Sequence, residues 1–380
     1  MIDVKKEGLL LTKSGLEFDN EGVLNPGIIR EGDSVHVLFR AVQLWNQSSI
    51  GYCRLDGPLN VAERLDKPII VPEFDYESQG VEDPRIVKID DIYYISYTAY
   101  DGVNARGALA TSKDLINFTK HGLITPPITY SEFVYLAESA GKVNENYYHN
   151  HKFYYQESDP DKKIILWDKD VIFFPRRING MLVFLHRIRP GIQLVSIKNI
   201  EDLTVNFWKD YFQNFQDYIV MDPIYSHELS YIGGGCPPIE TKHGWLLIYH
   251  GVEDTEKGRV YSACAALLDL NEPTKELARL PEILFKPEQE WELYGEVNNV
   301  CFPTGAALFG DTLFIYYGAA DSYIACASLK LSALLDELLI NSSTEPITIK
   351  AVVETKKNET KAPSKIKLHK TKSPSKNIPK

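Results

Sequence analysis

Along most of this chain apolar and polar residues alternate with a period of two, the pattern of strands that bury one face. Five segments repeat one outline: a proline, a short β-rich run, a turn carrying Gly or Asp, a second alternating run and then a polar cluster. They are NPGIIREGDSVHVLFRA (25–41), EDPRIVKIDDIYYISYTAYDG (82–102), DVIFFPRRINGMLVFLHR (170–187), CPPIETKHGWLLIYHGVED (236–254) and FPTGAALFGDTLFIYYGAAD (302–321). Turns at Glu31-Gly32-Asp33, Asp90-Asp91, Asn179-Gly180, His243-Gly244 and Gly310-Asp311 make each a β-hairpin. The aligned prolines, Pro26, Pro84, Pro175, Pro237 and Pro303, lie 58, 91, 62 and 66 residues apart, which leaves room for two further strands per interval. That is the content of a four-stranded blade, so the repeat predicts an all-β, five-bladed β-propeller. Helical periodicity appears only in KLSALLDELL (330–339), where Leu331, Leu334, Leu335, Leu338 and Leu339 predict a short C-terminal helix. A pair of β-sandwiches would use the same strands but would not explain five equivalent polar clusters.

In a propeller the matching strand ends converge on the central axis. The repeated polar residues Arg40, Tyr100 with Asp101, His186 with Arg187, His250, and Asp321 would then face one another across a funnel. The longest interval contains the aromatic and polar run Asn144–Tyr155, which reads as an insertion over the funnel mouth. Its His149 and His151 lack an accompanying carboxylate at helical spacing and there is no HExxH, so no metal is expected.

Charge divides the chain. It carries 41 Lys+Arg against 52 Asp+Glu, a net of −11, yet residues 351–380 hold nine Lys and two Glu, or +7, leaving −11 − 7 = −18 for the first 350 residues. An acidic body disfavours nucleic acid, whose phosphates need a basic face, and suits a neutral, sugar-like ligand. After about residue 342 the composition turns to Lys, Ser, Thr and Pro with almost no aromatics, which cannot bury enough surface to fold. The expected organisation is a single domain over 1–342 and a disordered, Lys-rich tail over 343–380. Five cysteines without a C-x-x-C pair read as reduced core thiols. With neither a secretory apolar run nor 18 consecutive apolar residues, the expectation is a cytoplasmic protein with no membrane partner.

Phosphate-loop, dinucleotide and nucleophile-elbow motifs are missing. Gly233-Gly234-Gly235 is followed by Pro237-Pro238 instead of a helix start, and reads as close backbone packing near the axis. What remains is a set of carboxylates, Asp83, Asp101, Asp168, Glu228, Glu296 and Asp321, among Trp45, Tyr97, Tyr100, Trp167 and Tyr317. Paired carboxylates beside aromatic faces are the equipment of carbohydrate-active sites, where one acid protonates the leaving oxygen.

The motifs EDPR (82–85), YTAYDG (97–102), LATSKDLINF (109–118), KDVIFFPRRINGMLVFLHR (169–187), IGGGCPPIETKHGWLLIYHGV (232–252), LLDLNEP (267–273), VNNVCFPTGA (297–306) and IYYGAAD (315–321) resemble glycoside hydrolase family 130 in family order over roughly residues 20–340. The resemblance implies a five-bladed propeller acting on β-mannosides with inversion, as a phosphorylase or, in some branches, a hydrolase. It implies Asp101 as general acid beside Tyr100, the Asn46-Gln47-Ser48-Ser49 loop around the transferred mannose, and Asp321 on sugar hydroxyls. It further implies Arg187 and His250 as phosphate ligands, with Arg85 of EDPR among the substrate-binding residues. Two departures stand out. Tyr231 occupies a position where family phosphorylases carry Lys, and Trp167-Asp168 replace an Arg-Asn pair before Lys169-Asp170. Losing cations and adding Asp168 disfavours a phosphate dianion. The expectation is therefore an inverting β-mannoside hydrolase, with Asp101 as acid and water activated by Glu228 or Asp168, Glu296 being a further candidate. The alternative is a β-mannoside phosphorylase in which Arg187, His250 and a displaced Arg177 bind inorganic phosphate as co-substrate. A glycan-binding propeller without turnover is a third reading. No cofactor is implied by any of them.

Overall fold

The computed structural model describes residues 2–138, 143–148 and 164–340. The chain is mostly β, arranged as five four-stranded antiparallel meanders. The first runs through Gly22–Glu31, Ser34–Gln43, Gln47–Asp56 and Asn60–Arg64, and the second through Gly80–Ile89, Ile92–Tyr100, Ala105–Ser112 and Phe118–Leu123. A single parallel pair, Ser48 with Gly80, links these two into one eight-stranded sheet. The third comprises Lys169–Phe173, Leu182–Arg187, Ile192–Ile197 and Ile219–Met221. The fourth comprises Tyr231–Gly234, Gly244–Thr255, Gly258–Leu268 and Glu276–Arg279, with Ile239–Thr241 also on Gly244–Thr255. In the fifth, Cys301–Phe309, Thr312–Ala319 and Tyr323–Lys330 are completed by the N-terminal strand Lys5–Leu11, which pairs antiparallel with Tyr323–Lys330. Among the described residues no sheet closes on itself.

The period of two explains how these sheets hold together. Successive side chains on the middle strands go to opposite faces, so each meander feeds two apolar cores. Leu38 packs with Ile86 and Tyr97 of the second meander, whereas Val37 and Phe39 pack with Tyr316 and Cys326 of the fifth. Likewise Leu247 and Tyr249 face Leu185 of the third meander, while Ile248 faces Ile315 and Tyr317 of the fifth. Val87 and Leu109 of the second join Phe173 and Phe184 of the third. Every consecutive pair, including fifth with first, thus shares a core, and each large apolar side chain fully buried there contributes about 1.5–3 kcal/mol.

The innermost strands approach closely. A Cβ on Gly27 would stand 2.8 Å from the Pro84 carbonyl oxygen, and one on Gly235 2.8 Å from that of Pro303, so both positions need glycine. This agrees with close backbone packing at Gly233–Gly235. The prolines themselves are not equivalent. Pro26, Pro84 and Pro303 sit at register breaks inside strands, whereas Pro175 follows the end of Lys169–Phe173.

Two features depart from the sequence pattern. A helix at Val205–Gln213, capped by the Thr204 side chain accepting from the Phe207 amide, was not anticipated. It meets the insertion helix Tyr130–Glu138 through edge-on contacts of Phe133 with Phe212 and Phe215, at 5.4 and 5.2 Å. The insertion therefore thickens the core between the second and third meanders, and its Tyr130 and Tyr147 border a small cavity with Trp167, Arg187 and Arg189. The C-terminal helix forms at Leu331–Ile340, burying Leu334 and Leu338. His149, His151 and the Lys-rich segment 343–380 lie outside the described residues.

Candidate active site

The first strands of three meanders carry Asn25, Asp83 and Asp170 in the left-handed region, at φ of 50°, 52° and 53°. Asn and Asp tolerate this region better than other side chains, and each stands at a register break that re-aims it. Asn25 Nδ2 donates to Asp83 Oδ1 at 2.8 Å. Arg40 reaches across from the first meander, with Nη2 2.8 Å from Glu82, Nη1 3.6 Å from Asp83 and Nε donating to Ser48 Oγ at 2.8 Å. Lys169 Nζ lies 3.6 Å from Glu82 and 3.9 Å from Asp83. Burial pushes the Asp83 carboxyl up, but Lys169, Arg40 and Asn25 outweigh it and hold it at about 2.

Beside this group Arg187 Nε is 3.1 Å from Asp170 Oδ2, and His250 Nε2 is 3.9 Å from the same oxygen. His250 is fully buried with neither ring nitrogen hydrogen-bonded. Burial, then Arg187, Arg85 and Arg189, hold it well below the usual histidine range, so it is neutral. Tyr231 is clasped by guanidinium groups: Arg189 lies 3.8 Å from its ring centroid, Arg187 5.0 Å and Arg259 5.8 Å, while its hydroxyl is 2.6 Å from that of Tyr261. Arg187 is anchored on Asp170, but Arg189 has no carboxylate within ion-pair distance among the described residues. Desolvation makes that charge costly unless an anion joins it.

Two adjoining cavities share Arg40, Val297 and Asp321. The inner one, about 180 Å³, is lined by Lys169, Asp170, Arg187, Arg189, Tyr231 and Tyr261 among others. The outer one, about 370 Å³, is lined by Leu44, Trp45, Asn46 and Glu296. Burial, opposed by Arg40 and aided by Asp83, pushes the Asp321 carboxyl up to about 6.

The structure therefore places Arg187 and Asp321 on the inner cavity, with His250 buried beside Asp170, Asn46 on the outer cavity and Ser48 held by Arg40. Arg85 is buried beneath them, tied through Nε to the Gly235 carbonyl at 2.6 Å and through Nη1 to those of Asp83 and Pro84, so it braces the axis. Asp101 lines neither cavity. Its Oδ1 accepts from the amides of Val103 and Asn104 at 2.8 and 2.7 Å, and Oδ2 accepts from Asn104 Nδ2. Its turn is joined to the inner cavity's wall by Trp167 Nε1 donating to the Val103 carbonyl at 2.9 Å. Tyr100 donates its hydroxyl proton to the Gly102 carbonyl.

Of the three carboxylates proposed from sequence as water-activating bases, Glu296 lines the outer cavity, whereas Glu228 and Asp168 are elsewhere. Glu228 is fully buried, accepting from Tyr249 Oη at 2.5 Å, from the Ile224 and Tyr225 amides and from Arg279. The same clasp recurs as Glu77 with Tyr97 and Lys120, and as Glu292 with Tyr317 and Lys6. In the third meander Asp168 and His186 take the places of Glu and Tyr: Asp168 is fully buried, both oxygens 2.9 Å from His186 Nδ1, whose Nε2 is 2.7 Å from Tyr211 Oη. Glu228 and Asp168 are thus members of one repeated structural clasp, with no face toward the cavities. Asp168 lines neither cavity. Arg177, offered as a displaced phosphate ligand, instead pairs with Asp90 at 3.0 Å and with the carbonyls of Gly180 and Lys198.

Lys169, Asp170, Arg189 and Tyr261 were not singled out from sequence. Arg189 lies in the turn that follows Leu182–Arg187, beyond the strand whose period of two is read from sequence.

A family model described as beta-1,4-mannooligosaccharide phosphorylase matches residues 15–339. A 1,2-beta-oligomannan phosphorylase of Thermoanaerobacter sp. (strain X514) is 33% identical over 345 residues, 87% of this chain and 98% of that protein. A beta-1,2-mannobiose phosphorylase of the same organism is 33% identical over 331 residues, 83% and 92% of the two chains. Among solved structures, beta-1,2-mannobiose phosphorylase from Listeria innocua in complex with beta-1,2-mannobiose superposes with a TM-score of 0.67 at 23% identity, covering 89% of this chain and 100% of that one, a likeness of fold. The curated relatives bear phosphorylase names, and this overturns the expectation of hydrolysis. Its physical basis fails as well, because Arg189 brings a cation to Tyr231 and Asp168 is sequestered.

Proposed function

The chain belongs to glycoside hydrolase family 130, and from that premise we propose that it is a β-mannoside phosphorylase. A phosphate oxygen attacks the anomeric carbon of a terminal β-mannosyl unit, the glycosidic C–O bond breaks, and the leaving oxygen takes a proton. Inversion yields α-mannose 1-phosphate and a manno-oligosaccharide shorter by one unit. We read the cycle of five shared cores as a five-bladed propeller whose inner strand ends form the funnel, with the domain ending near residue 342.

One observation carries the reading: the Arg189 guanidinium, without a carboxylate partner among the described residues, beside Arg187, Lys169 and the nitrogens of neutral His250, which have no hydrogen-bond partner there either. A phosphate dianion leaves water only for several charge-assisted donors, and guanidinium forks match its geometry. Neutral His250 keeps one ring N–H, so it can donate to the anion without taking up a second proton. Asp101 is the proposed acid, by resemblance, held in place by the amides of its turn. Asp321 and Asn46 are the proposed hydroxyl ligands, and no metal or organic cofactor takes part.

The test is incubation with β-1,2- and β-1,4-mannobiose, with and without inorganic phosphate. Mannose 1-phosphate formed only with phosphate is the expected result. Free mannose released at the same rate in phosphate-free buffer would refute the reading. Asp101→Asn turning over as fast as the wild type would remove Asp101 as the acid.

A further inference from the structure

The tip of the second hairpin strand in the first meander is built unusually. Gln43 and Gln47 pair across it, their side chains joined at 2.6 Å, and only Leu44, Trp45 and Asn46 make the turn. Trp45 and Asn46 both have positive φ, at 69° and 57°. Asn accepts this region readily. For a bulky side chain it costs about 1–2 kcal/mol, and a Gly would avoid the strain. The indole recovers nothing by packing: it is 92% exposed and meets no other ring among the described residues. A strained backbone that presents a bare indole to solvent makes physical sense where a ligand supplies the missing contact.

That indole stands on the outer cavity. Its lining divides into an apolar set, Leu24, Val42, Leu44 and Val297, and a polar set, Asn46, Glu296 and Asp321. A pyranose has the same division, with C–H faces that stack on an aromatic ring and a hydroxyl rim that hydrogen-bonds. Lys169, Arg187 and Arg189 line the inner cavity and not the outer, so the phosphate and the bond it attacks belong there, and a sugar lying further out continues into the larger space. We propose that Trp45 is the stacking platform for the sugar on the leaving side of the cleaved bond, and so a determinant of acceptor affinity in the reverse reaction. This rests on the phosphorylase reading.

The experiment runs the synthetic direction, mannose 1-phosphate with mannose or β-1,2-mannobiose as acceptor, following phosphate release. Trp45→Ala is expected to raise KM for the acceptor on the order of tenfold, the loss of roughly one aromatic stacking contact. Trp45→Phe is expected to restore it to within about threefold, with KM for mannose 1-phosphate changed by less than about twofold in both variants. An unchanged acceptor KM in Trp45→Ala overturns the proposal. So does an equal rise in both KM values, which would place the ring on the transferred sugar, or a change of oligomeric mass with KM unchanged, which would make the indole an interface between copies of the chain. If the wild type releases no phosphate with any mannoside acceptor, the phosphorylase reading fails. The platform is then judged by fluorescence titration with β-1,2-mannobiose: quenching in the wild type that disappears in Trp45→Phe supports it, and no quenching in the wild type overturns it.

Discussion

Arg189→Met isolates the feature on which phosphate use depends. Arg189 makes its recorded contact with the Tyr231 ring at 3.8 Å and has no carboxylate partner among the described residues, so replacing it disrupts no ion pair. The fold loses a cation–π contact of about 0.5–2 kcal/mol, small enough for the variant to remain folded. The phosphate loses one charged fork, and a hydrogen bond to a charged group contributes about 1.5–3 kcal/mol. At about 1.4 kcal/mol per decade, KM for phosphate should rise roughly 10- to 150-fold. The assay is initial-rate phosphorolysis of β-mannobiose with phosphate varied at saturating disaccharide, then the converse. KM for the disaccharide should move by less than about threefold, since Arg189 lines the inner cavity and not the outer. Arg189→Lys should fall between, because an ammonium keeps the charge but lacks the planar fork. A KM for phosphate within about threefold of wild type in Arg189→Met, or an equal rise for the disaccharide, would refute the assignment.

Three further outcomes follow from the packing. Glu228→Ala should lower the free energy of unfolding by roughly 3–5 kcal/mol in urea titration, because it strips a buried carboxylate from Arg279, Tyr249 and two amides; full stability with abolished turnover would instead make Glu228 a reacting group. The Asp321 carboxyl, raised to about 6 from 3.8, binds its proton more tightly folded than unfolded. Stability should accordingly be fully present below about pH 4 and fall as pH rises to about 6, by up to about 3 kcal/mol relative to Asp321→Asn; parallel curves for the two proteins would contradict this. All five cysteines are buried, with Cys53 and Cys236 pushed up to about 12 by burial, so a thiol reagent should label none in the native protein and five after denaturation.

The fold was legible where the information is local. A period of two places Leu38 and Val37 on different cores, and the polar residue one step beyond the core aromatic lines the inner cavity in two meanders, as Arg40 and Arg187, while in a third His250 is buried beside Asp170. The pairing of Lys5–Leu11 with Tyr323–Lys330 was not legible, since nothing in a seven-residue strand specifies a partner at the other end of the chain. Val205–Gln213 escaped notice for a different reason. Its Phe, Trp and Tyr favour strands by propensity, and only burial against Phe133 makes the helix worthwhile.

The functional error has the most instructive cause. Tyr231 at a cation's position reads in sequence as a lost charge, yet a binding site sums charges in space. An aromatic ring at Tyr231 is what allows Arg189 to lie 3.8 Å from its centroid, with Arg187 and Arg259 nearby, whereas a lysine there would repel all three. The aromatic residue and the extra arginine are therefore two halves of one substitution. The same reasoning disposes of Asp168. A carboxylate next to Lys169 in sequence appears to oppose phosphate, but adjacent residues of a strand point to opposite faces. Lys169 turns to the inner cavity, and Asp168 turns to His186 in the clasp that Glu77, Glu228 and Glu292 make with tyrosines elsewhere. Once the repeat is recognised, a buried acid that occupies its position is assigned to the scaffold, and the search for reacting groups narrows to residues that break the repeat at the funnel.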